Sequence, residues 1–263
     1  PLAPEPLLSA QANGNVVVAC GTQLQLYSPT GESLAEVPQL LASDGVSQFQ
    51  LQKITGVLCA PTRAAQPDGT ADSQGGAADG CVYVYDTTPG ALGIPEEEKL
   101  HRIDLASGKV EASVVLPSEF LCLQYVSKEP VSLALARGGT LFLAKRQHPC
   151  LLLFCSRELR LIKVVGSMAR QSENFGFLVR PPNAPPDQLT APSGLAARGS
   201  KVFCLDKDDI VILALDGAIL GRVSIPPHFD YLGGGISLPP SGGCLAIDGY
   251  GARVHLPAPT AWE

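Results

Sequence analysis

The sequence contains 263 residues, of which 45% are hydrophobic and 17% charged, and its net charge is −6. This length is sufficient for one large all-β domain or for two domains of average size. The basic residues stand singly or in pairs such as Lys145-Arg146, and the apolar runs are far shorter than the roughly 18 residues of a membrane span, so neither nucleic acid nor a membrane is an expected partner.

Five stretches of similar layout follow one another along the chain, near residues 7–38, 46–116, 120–165, 191–225 and 236–256. In the complete copies, short runs rich in Val, Ile, Leu, Phe and Tyr alternate with turns that contain Gly and polar residues. Such runs are typical of β-strands, Gly serves the positive φ of tight turns, and no stretch has helical periodicity. The sequence therefore predicts an all-β chain built from repeated four-stranded units.

The first two units differ in how compact they are. The first is short, with strands predicted at Val16–Cys20 and Gln23–Tyr27 before the turn Ser28–Gly31. The second unit is interrupted twice. Residues 61–80 lack any apolar period and are predicted to form a disordered insertion, and residues 87–99 are predicted to form a second exposed excursion. Loops of this length are either functional or disordered, and we interpret both as surface insertions.

The third and fourth units share one layout, and the Pro-rich stretch 166–190 is a long connection between them. A four-stranded unit cannot bury both of its faces alone. Radial stacking of such units covers these faces and leaves only short strand edges. The prediction is therefore a single β-propeller domain over residues 1–263, with about five or six four-stranded blades.

Three segments of the fourth unit are distinctive: Pro192-Ser-Gly-Leu-Ala, Val202-Phe-Cys-Leu-Asp206 and Asp216-Gly217. They are similar to the Pro-x-Gly-hydrophobic, hydrophobic-x-Asp and Asp-Gly segments of the NHL-repeat family of propellers. The first unit has Cys20 where this pattern has Asp, and the unit whose second strand ends at Ala144 also lacks the Asp. The resemblance implies NHL-like blades, and WD40-like and quinoprotein-like propellers stay open as alternatives.

The densest group of carboxylates is formed by Asp206, Asp208 and Asp209. Three carboxylates at a strand end are suitable ligands for a hard cation such as calcium. Asp at such a turn also caps backbone amides, and the repetition of Asp at Asp86 and Asp248 favours this structural interpretation. The three residues are kept as ligand candidates.

A second candidate group is formed by His228, Asp230 and Tyr231, which place a base, an acid and a phenol together on a predicted loop between units. It is the first choice for any ligand or catalytic role. No two histidines are close in sequence and no nucleophile motif of the Gly-x-Ser-x-Gly type is present. We therefore assign no catalytic residue, no metal ligand and no cofactor.

Several of the eight cysteines lie inside apolar runs, where a free cysteine behaves as a small buried hydrophobe. No Cys-x-x-Cys occurs, so zinc-ribbon and thioredoxin chemistry lack their basic spacing, and no Asn-x-Ser/Thr acceptor occurs either. On this composition we favour reduced thiols over disulfides, and hence an intracellular, cytoplasmic location. The sequence begins with Pro1 rather than Met, so we expect it to be part of a longer protein or a processed chain.

These patterns predict a module that is not an enzyme: a non-catalytic protein–protein interaction or scaffold domain that presents propeller loops and one face to a protein partner. The first alternative is a metal-dependent hydrolase or lyase with a site in the central channel, as in some propellers that the NHL resemblance implies. An RNA-binding NHL face is a weaker alternative, against which the negative net charge argues.

Overall fold

The computed structural model describes residues 6–11, 14–36, 39–60, 80–90, 95–120, 131–145, 148–167, 188–207, 209–225, 235–238, 244–247 and 253–256. Apart from the short 3-10 turn Ser118–Phe120, the regular secondary structure of these residues is β-strand. The predicted insertion at 61–80 lies outside them except for Gly80.

The strands form five antiparallel sheets, each paired in chain order. The first sheet contains β1 (Leu7–Ala10), β2 (Val16–Cys20), β3 (Gln23–Tyr27) and β4 (Ser33–Glu36). The second contains β5 (Ile54–Cys59), β6 (Cys81–Pro89), β7 (Pro95–Asp104) and β8 (Val110–Val115). The third contains β9 (Ser132–Ala136), β10 (Thr140–Ala144), β11 (Cys150–Cys155) and β12 (Leu161–Gly166). The fourth contains β13 (Pro192–Arg198), β14 (Lys201–Asp206), β15 (Asp209–Ala214) and β16 (Ile219–Ser224). The fifth contains β17 (Gly235–Ser237), β18 (Cys244–Ile247) and β19 (Arg253–Leu256).

This succession of sheets confirms the predicted all-β, β-propeller fold. In the described part of the chain, four sheets have four strands and one has three. The chain divides into two compact units, one formed by Pro1–Lys128 with Cys155–Arg160 and the other by Glu129–Phe154 with Leu161–Glu263. The single domain predicted over residues 1–263 stays a prediction.

The fourth sheet shows why its central strands are continuously apolar. Side chains alternate across a strand, so Val202 and Cys204 of β14 pack into a cluster with the third sheet. Phe203 and Leu205 of the same strand point the other way, into a cluster that includes Ile236 of the fifth sheet. Both faces are therefore covered by neighbouring sheets, and the hydrophobic run replaces the usual polar alternation.

The second excursion predicted at 87–99 is wrong for residues 87–89 and 95–99, which are β-strand, and residues 91–94 lie outside the described residues. Thr87 and Thr88 extend β6, where they pair with Glu98 and Glu97 at the start of β7. The prediction took the glutamates as a solvated run. Glu98 is instead buried and accepts a hydrogen bond from the Tyr85 hydroxyl at 2.7 Å. A hydrogen-bonded carboxylate can be buried, so its charge alone does not make the segment a loop.

One irregularity recurs in all four complete sheets. The pairing of the third and fourth strands contains a bulge that leaves one residue of the fourth strand without a partner in the register. The residues skipped in this way are Leu34, Glu111, Ile162 and Leu220. The three apolar ones are about half exposed, whereas Glu111 forms an ion pair with Arg102 at 3.1 Å. The bulge is thus a repeat feature that the sequence pattern does not reveal.

Gly217 occupies the turn between β15 and β16 with a φ of 81°. A Cβ atom at this position would overlap Cγ2 of Val165 and lie 3.0 Å from Cδ2 of Leu153, both in the third sheet. The Asp-Gly segment of the fourth unit therefore needs glycine for two reasons, which are the positive φ and the close packing of the turn against the neighbouring sheet.

The two reasons can be separated by two alanine substitutions. Gly199 also has a positive φ, of 57°, but a Cβ atom at this position would have no other atom within 4 Å. We expect Gly199→Ala to lower the free energy of unfolding by about 1–2 kcal/mol from backbone strain alone. Gly217→Ala adds an overpacking cost of about 1–3 kcal/mol. Urea unfolding of both variants measures the difference, and equal losses would contradict the packing argument.

Candidate functional site

Asp206 closes β14 with a buried carboxylate that binds the start of its own sheet. Its Oδ1 accepts hydrogen bonds from the backbone N–H groups of Thr190 and Ala191, at 2.8 and 2.7 Å, just before β13 begins. Its Oδ2 lies 3.2 Å from Nη1 of Arg222 on β16. One side chain thus joins the first, second and fourth strands of the sheet.

Burial raises the pKa of Asp206, and the two N–H donors and Arg222 only partly offset that effect. Asp209 lies on the other side of the same guanidinium, with 3.5 Å between its Oδ2 and Nη1 of Arg222, and it accepts a hydrogen bond from the Ser224 hydroxyl at 2.9 Å. The structure therefore brings Asp206 and Asp209 together around a cation of the protein itself. A role for them in binding a ligand stays a prediction.

The other predicted site residues, which are Asp208, His228, Asp230 and Tyr231, lie outside the described residues. Their predicted ligand role is not tested. Among the residues that the structure does describe, no three His, Cys, Asp or Glu side chains are grouped in a way that could hold a metal ion.

Replacing each carboxylate separately tests the structural role of the pair. In Asp206→Ala, two buried N–H groups lose their acceptor and Arg222 loses one of its partners, and we expect a loss of about 3 kcal/mol in the free energy of unfolding. Asp209→Ala removes one hydrogen bond from Ser224 and a longer ion pair, at a cost of about 1 kcal/mol. Chemical denaturation measures both values, and an Asp209 variant as unstable as the Asp206 variant would refute this ranking.

The second sheet repeats the arrangement with different chemistry. Asp86 ends the apolar part of β6, and its Oδ1 accepts hydrogen bonds from the N–H groups of Gln52 and Lys53, at 2.9 and 2.7 Å, just before β5. Its Oδ2 faces Nε2 of His101 on β7, at 3.8 Å. Both side chains are almost fully buried, at 4% and 1% exposure. A histidine of the third strand thus faces this carboxylate, whereas in the fourth sheet Arg222 of the fourth strand does so.

The other ring nitrogen of His101 contacts a residue that is exposed to solvent. Nδ1 lies 2.6 Å from Oγ of Ser113, an exposed residue directly opposite on the edge strand β8. The N–H of Leu116 donates to the carbonyl oxygen of Glu98, so these two residues form a hydrogen-bonded pair. Hydrogen-bonded and non-hydrogen-bonded pairs alternate along an antiparallel ladder. Counted along the register from this pair, His101 and Ser113 form a non-hydrogen-bonded pair. Side chains in such pairs lie closest together.

The charge of the nearby carboxylate favours one tautomer of the imidazole. A carboxylate only accepts hydrogen bonds, so the negative charge of Asp86 favours a proton on Nε2 of His101. Nδ1 is then the acceptor, and the Ser113 hydroxyl donates to it. The ring of Phe49 packs edge-on against the imidazole, with 5.0 Å between the ring centroids. The row Ser113–His101–Asp86 is a hydroxyl, a base and a carboxylate in series, which is the order of groups that activates a serine.

These three side chains were not predicted to form a site. His101 is one of four histidines, no two of which are close in sequence, and Ser113 lies twelve residues further on, in another strand. Neither residue belongs to a linear motif. The available signal was the equivalence of Asp86 and Asp206, because a buried carboxylate at a repeated position calls for a partner from the third or fourth strand.

Asp86 makes stability depend on pH. Burial acts to raise its pKa, but the nearby imidazole of His101 and the N–H donors of Lys53 and Gln52 outweigh it, so the pKa lies below the usual 3.8. A carboxylate of this kind stabilises the fold above its unfolded-state pKa, and the contribution is lost as the pH falls through the lower folded-state value.

We therefore expect Asp86→Asn to lower the free energy of unfolding by about 1.5–3 kcal/mol at pH 6. The difference in the free energy of unfolding between Asp86→Asn and the wild type should become smaller as the pH falls below 3.8, because the wild-type carboxylate then becomes neutral as well. Urea unfolding at several pH values measures this difference. The matched control is Asp104→Asn, which alters a carboxylate in the β7–β8 turn, and a constant difference for Asp86→Asn would contradict the linkage.

Comparison with known proteins supports the fold class. No protein-family model and no curated protein matches the sequence. Among solved structures, a gluconolactonase from Xanthomonas campestris matches with a TM-score of 0.55 and 12% identity, over 96% of this chain and 71% of that one. A streptogramin B lyase matches with a TM-score of 0.48 and 12% identity, over 99% and 71%. KlHsv2, with its loop 6CD replaced by a Gly-Ser linker, matches with 0.48 and 11%, over 93% and 61%.

The chain thus spans less than two thirds of the length of the KlHsv2 structure. At these identities the likeness shows the propeller fold alone. The comparison nevertheless contradicts the prediction that the chain is not an enzyme, because a gluconolactonase has this fold. The absence of a linear catalytic motif was the wrong criterion, since propellers assemble their sites from side chains that are distant in sequence. The NHL resemblance has no family match to support it.

Within the described residues, no helix has the length and apolar character needed to cross a membrane.

Proposed function

We propose that this chain is a partner-binding propeller, an NHL-like module of an intracellular protein that presents a preordered turn to a second protein. The observation that carries the proposal is the turn 41–48, which precedes the second sheet and holds an apolar side chain in solvent. Six described cysteines are free thiols, which supports the intracellular part of the proposal.

Asp44 orders this turn from within. Its Oδ1 accepts hydrogen bonds from the N–H groups of Val46 and Ser47, both at 2.9 Å, and its Oδ2 accepts one from the Ser47 hydroxyl at 2.6 Å. These bonds, first among them that of the Ser47 hydroxyl, lower the pKa of Asp44 to about 2. The N–H of Ala42 closes the turn on Ser47 O at 2.8 Å. The carboxylate is therefore ionised, and holds the turn, throughout the physiological pH range.

The base of the turn is fixed to the second sheet. The N–H of Leu41 donates to Gly108 O at 3.0 Å, and the N–H of Val110 donates to Leu41 O at 2.8 Å. The turn is thus bonded to the β7–β8 connection at its base and to Asp44 at its tip. A loop held in this way loses little conformational freedom when it binds, and this saves part of the entropic cost of association.

Val46 lies at the tip of the turn and is 82% exposed, the highest value among the large apolar side chains described as exposed. Apolar side chains at the centre of an interface contribute most when they enter a pocket that excludes water. A rigid turn that carries Val46 therefore fits a protein partner with a small apolar pocket, lined by groups that tolerate the negative charge of Asp44.

Photocrosslinking tests this proposal in cells that express the full-length protein. Benzoylphenylalanine at position 46 is expected to give one discrete crosslinked species of higher mass. The matched control is the same label at position 30, because Thr30 is an exposed residue in the β3–β4 turn of the first sheet. Adding Asp44→Ala to the position-46 variant releases the turn, and we expect the crosslink yield to fall severalfold.

Two outcomes oppose the proposal. Equal crosslinking at positions 30 and 46 would show that the label reacts without a docking site. A position-46 label that gives no discrete product, in protein that native mass measurement finds solitary, would show that the turn has no partner.

A further inference from the structure

We propose that Ser113 is a nucleophilic serine, activated by His101, that accepts acyl groups from carboxylic esters at the outer edge of the second sheet. The proposal does not depend on the partner-binding role of the turn 41–48. It rests on the series Ser113–His101–Asp86, in which only the serine is exposed.

The geometry supplies the base. The Ser113 hydroxyl lies 2.6 Å from His101 Nδ1, within the range over which a general base takes a proton. His101 is held in place by Phe49 and by its position in β7, so the base is oriented before any substrate binds. Asp86 faces the opposite nitrogen at 3.8 Å, where its negative charge favours the imidazolium that forms during the reaction.

The edge position of β8 supplies access. Because His101 and Ser113 form a non-hydrogen-bonded pair, the N–H of Ser113 points away from β7, along the open edge of the sheet. It is a backbone donor adjacent to the reacting oxygen, and backbone N–H groups next to a nucleophile stabilise the oxyanion of an acyl-transfer intermediate. An ester can therefore approach Oγ from solvent without displacing a buried group.

The chemistry balances with water as the only co-reactant. His101 Nδ1 takes the proton of the Ser113 hydroxyl while Oγ attacks the acyl carbon. The ester bond breaks, and the leaving alcohol receives that proton from Nδ1. Water then transfers one proton to Nδ1 and its hydroxyl to the acyl carbon. The bond to Oγ breaks, the carboxylic acid departs, and Ser113 regains its proton.

The fourth sheet contains a natural control. Ser224 is the last residue of the fourth strand in the fourth sheet, and Ser113 likewise lies in the fourth strand of the second sheet. The hydroxyl of Ser224, however, donates to the carboxylate of Asp209 rather than to an imidazole. A carboxylate is a much weaker base than an imidazole, and this one also faces the guanidinium of Arg222. Ser224 should therefore react at the rate of an ordinary surface serine.

The test treats the purified full chain with p-nitrophenyl acetate and follows acetylation of each serine by peptide mass mapping, together with the release of p-nitrophenolate. We expect Ser113 to be acetylated on the order of 10²-fold faster than Ser224, the usual contribution of a positioned base. Ser113→Ala should abolish the fast release of p-nitrophenolate, and Ser224→Ala should leave it unchanged.

His101→Gln removes the base and should lower the rate at Ser113 by a similar factor of roughly 10². If this buried substitution prevents folding, the acetylation rates of Ser113 and Ser224 in the wild-type chain still test the proposal. Equal acetylation of the two serines overturns the proposal. Fast acetylation of Ser113 that persists in a folded His101→Gln variant also overturns it, since the imidazole would then play no part.

Discussion

The organisation of this chain depends on one buried interaction, a carboxylate at the end of the second strand that binds two backbone N–H groups at the entry to the first. Asp86 and Asp206 make these bonds in the second and fourth sheets. Buried N–H groups cost free energy when they lack acceptors, and a charged acceptor binds them more strongly than a neutral one. The interaction therefore fixes where the chain enters each of the two sheets.

The carboxylate also changes the strand pairing. In both sheets the first strand has a bulge after its first paired residue, at Ile54 and at Pro192, so the register resumes at Gly56 and Gly194. The first and third sheets have no Asp at this point, and their first two strands pair without a bulge. In the third sheet Lys145 follows β10 at the equivalent position and is buried. Among the first four sheets, those without the buried Asp therefore alternate with those that have it.

The two carboxylates differ in what faces them, and this difference separates structure from chemistry. The guanidinium of Arg222 only donates hydrogen bonds, so its contact with Asp206 holds the sheet together. The imidazole of His101 has a second ring nitrogen, and this nitrogen contacts an exposed hydroxyl on the other side of the ring. The carboxylate at the end of the second strand therefore takes part in a structural ion pair in the fourth sheet and in a proposed proton-transfer path in the second.

The sequence by itself determined the strands, the turns and the repeat, and from these the propeller fold. These features are local, because short apolar runs such as Lys201–Asp206 and glycines such as Gly217 carry their conformational preference within a few residues. The equivalence of Asp86 and Asp206 was also visible in the repeat. The extension of β6 to Pro89 and the start of β7 at Pro95 were not, because burial of Glu98 depends on the Tyr85 hydroxyl, which only strand pairing brings within reach. The tertiary structure alone decided the meeting of His101 and Ser113, since it depends on the register of β7 against β8, and a shift of one residue would turn the two side chains to opposite faces.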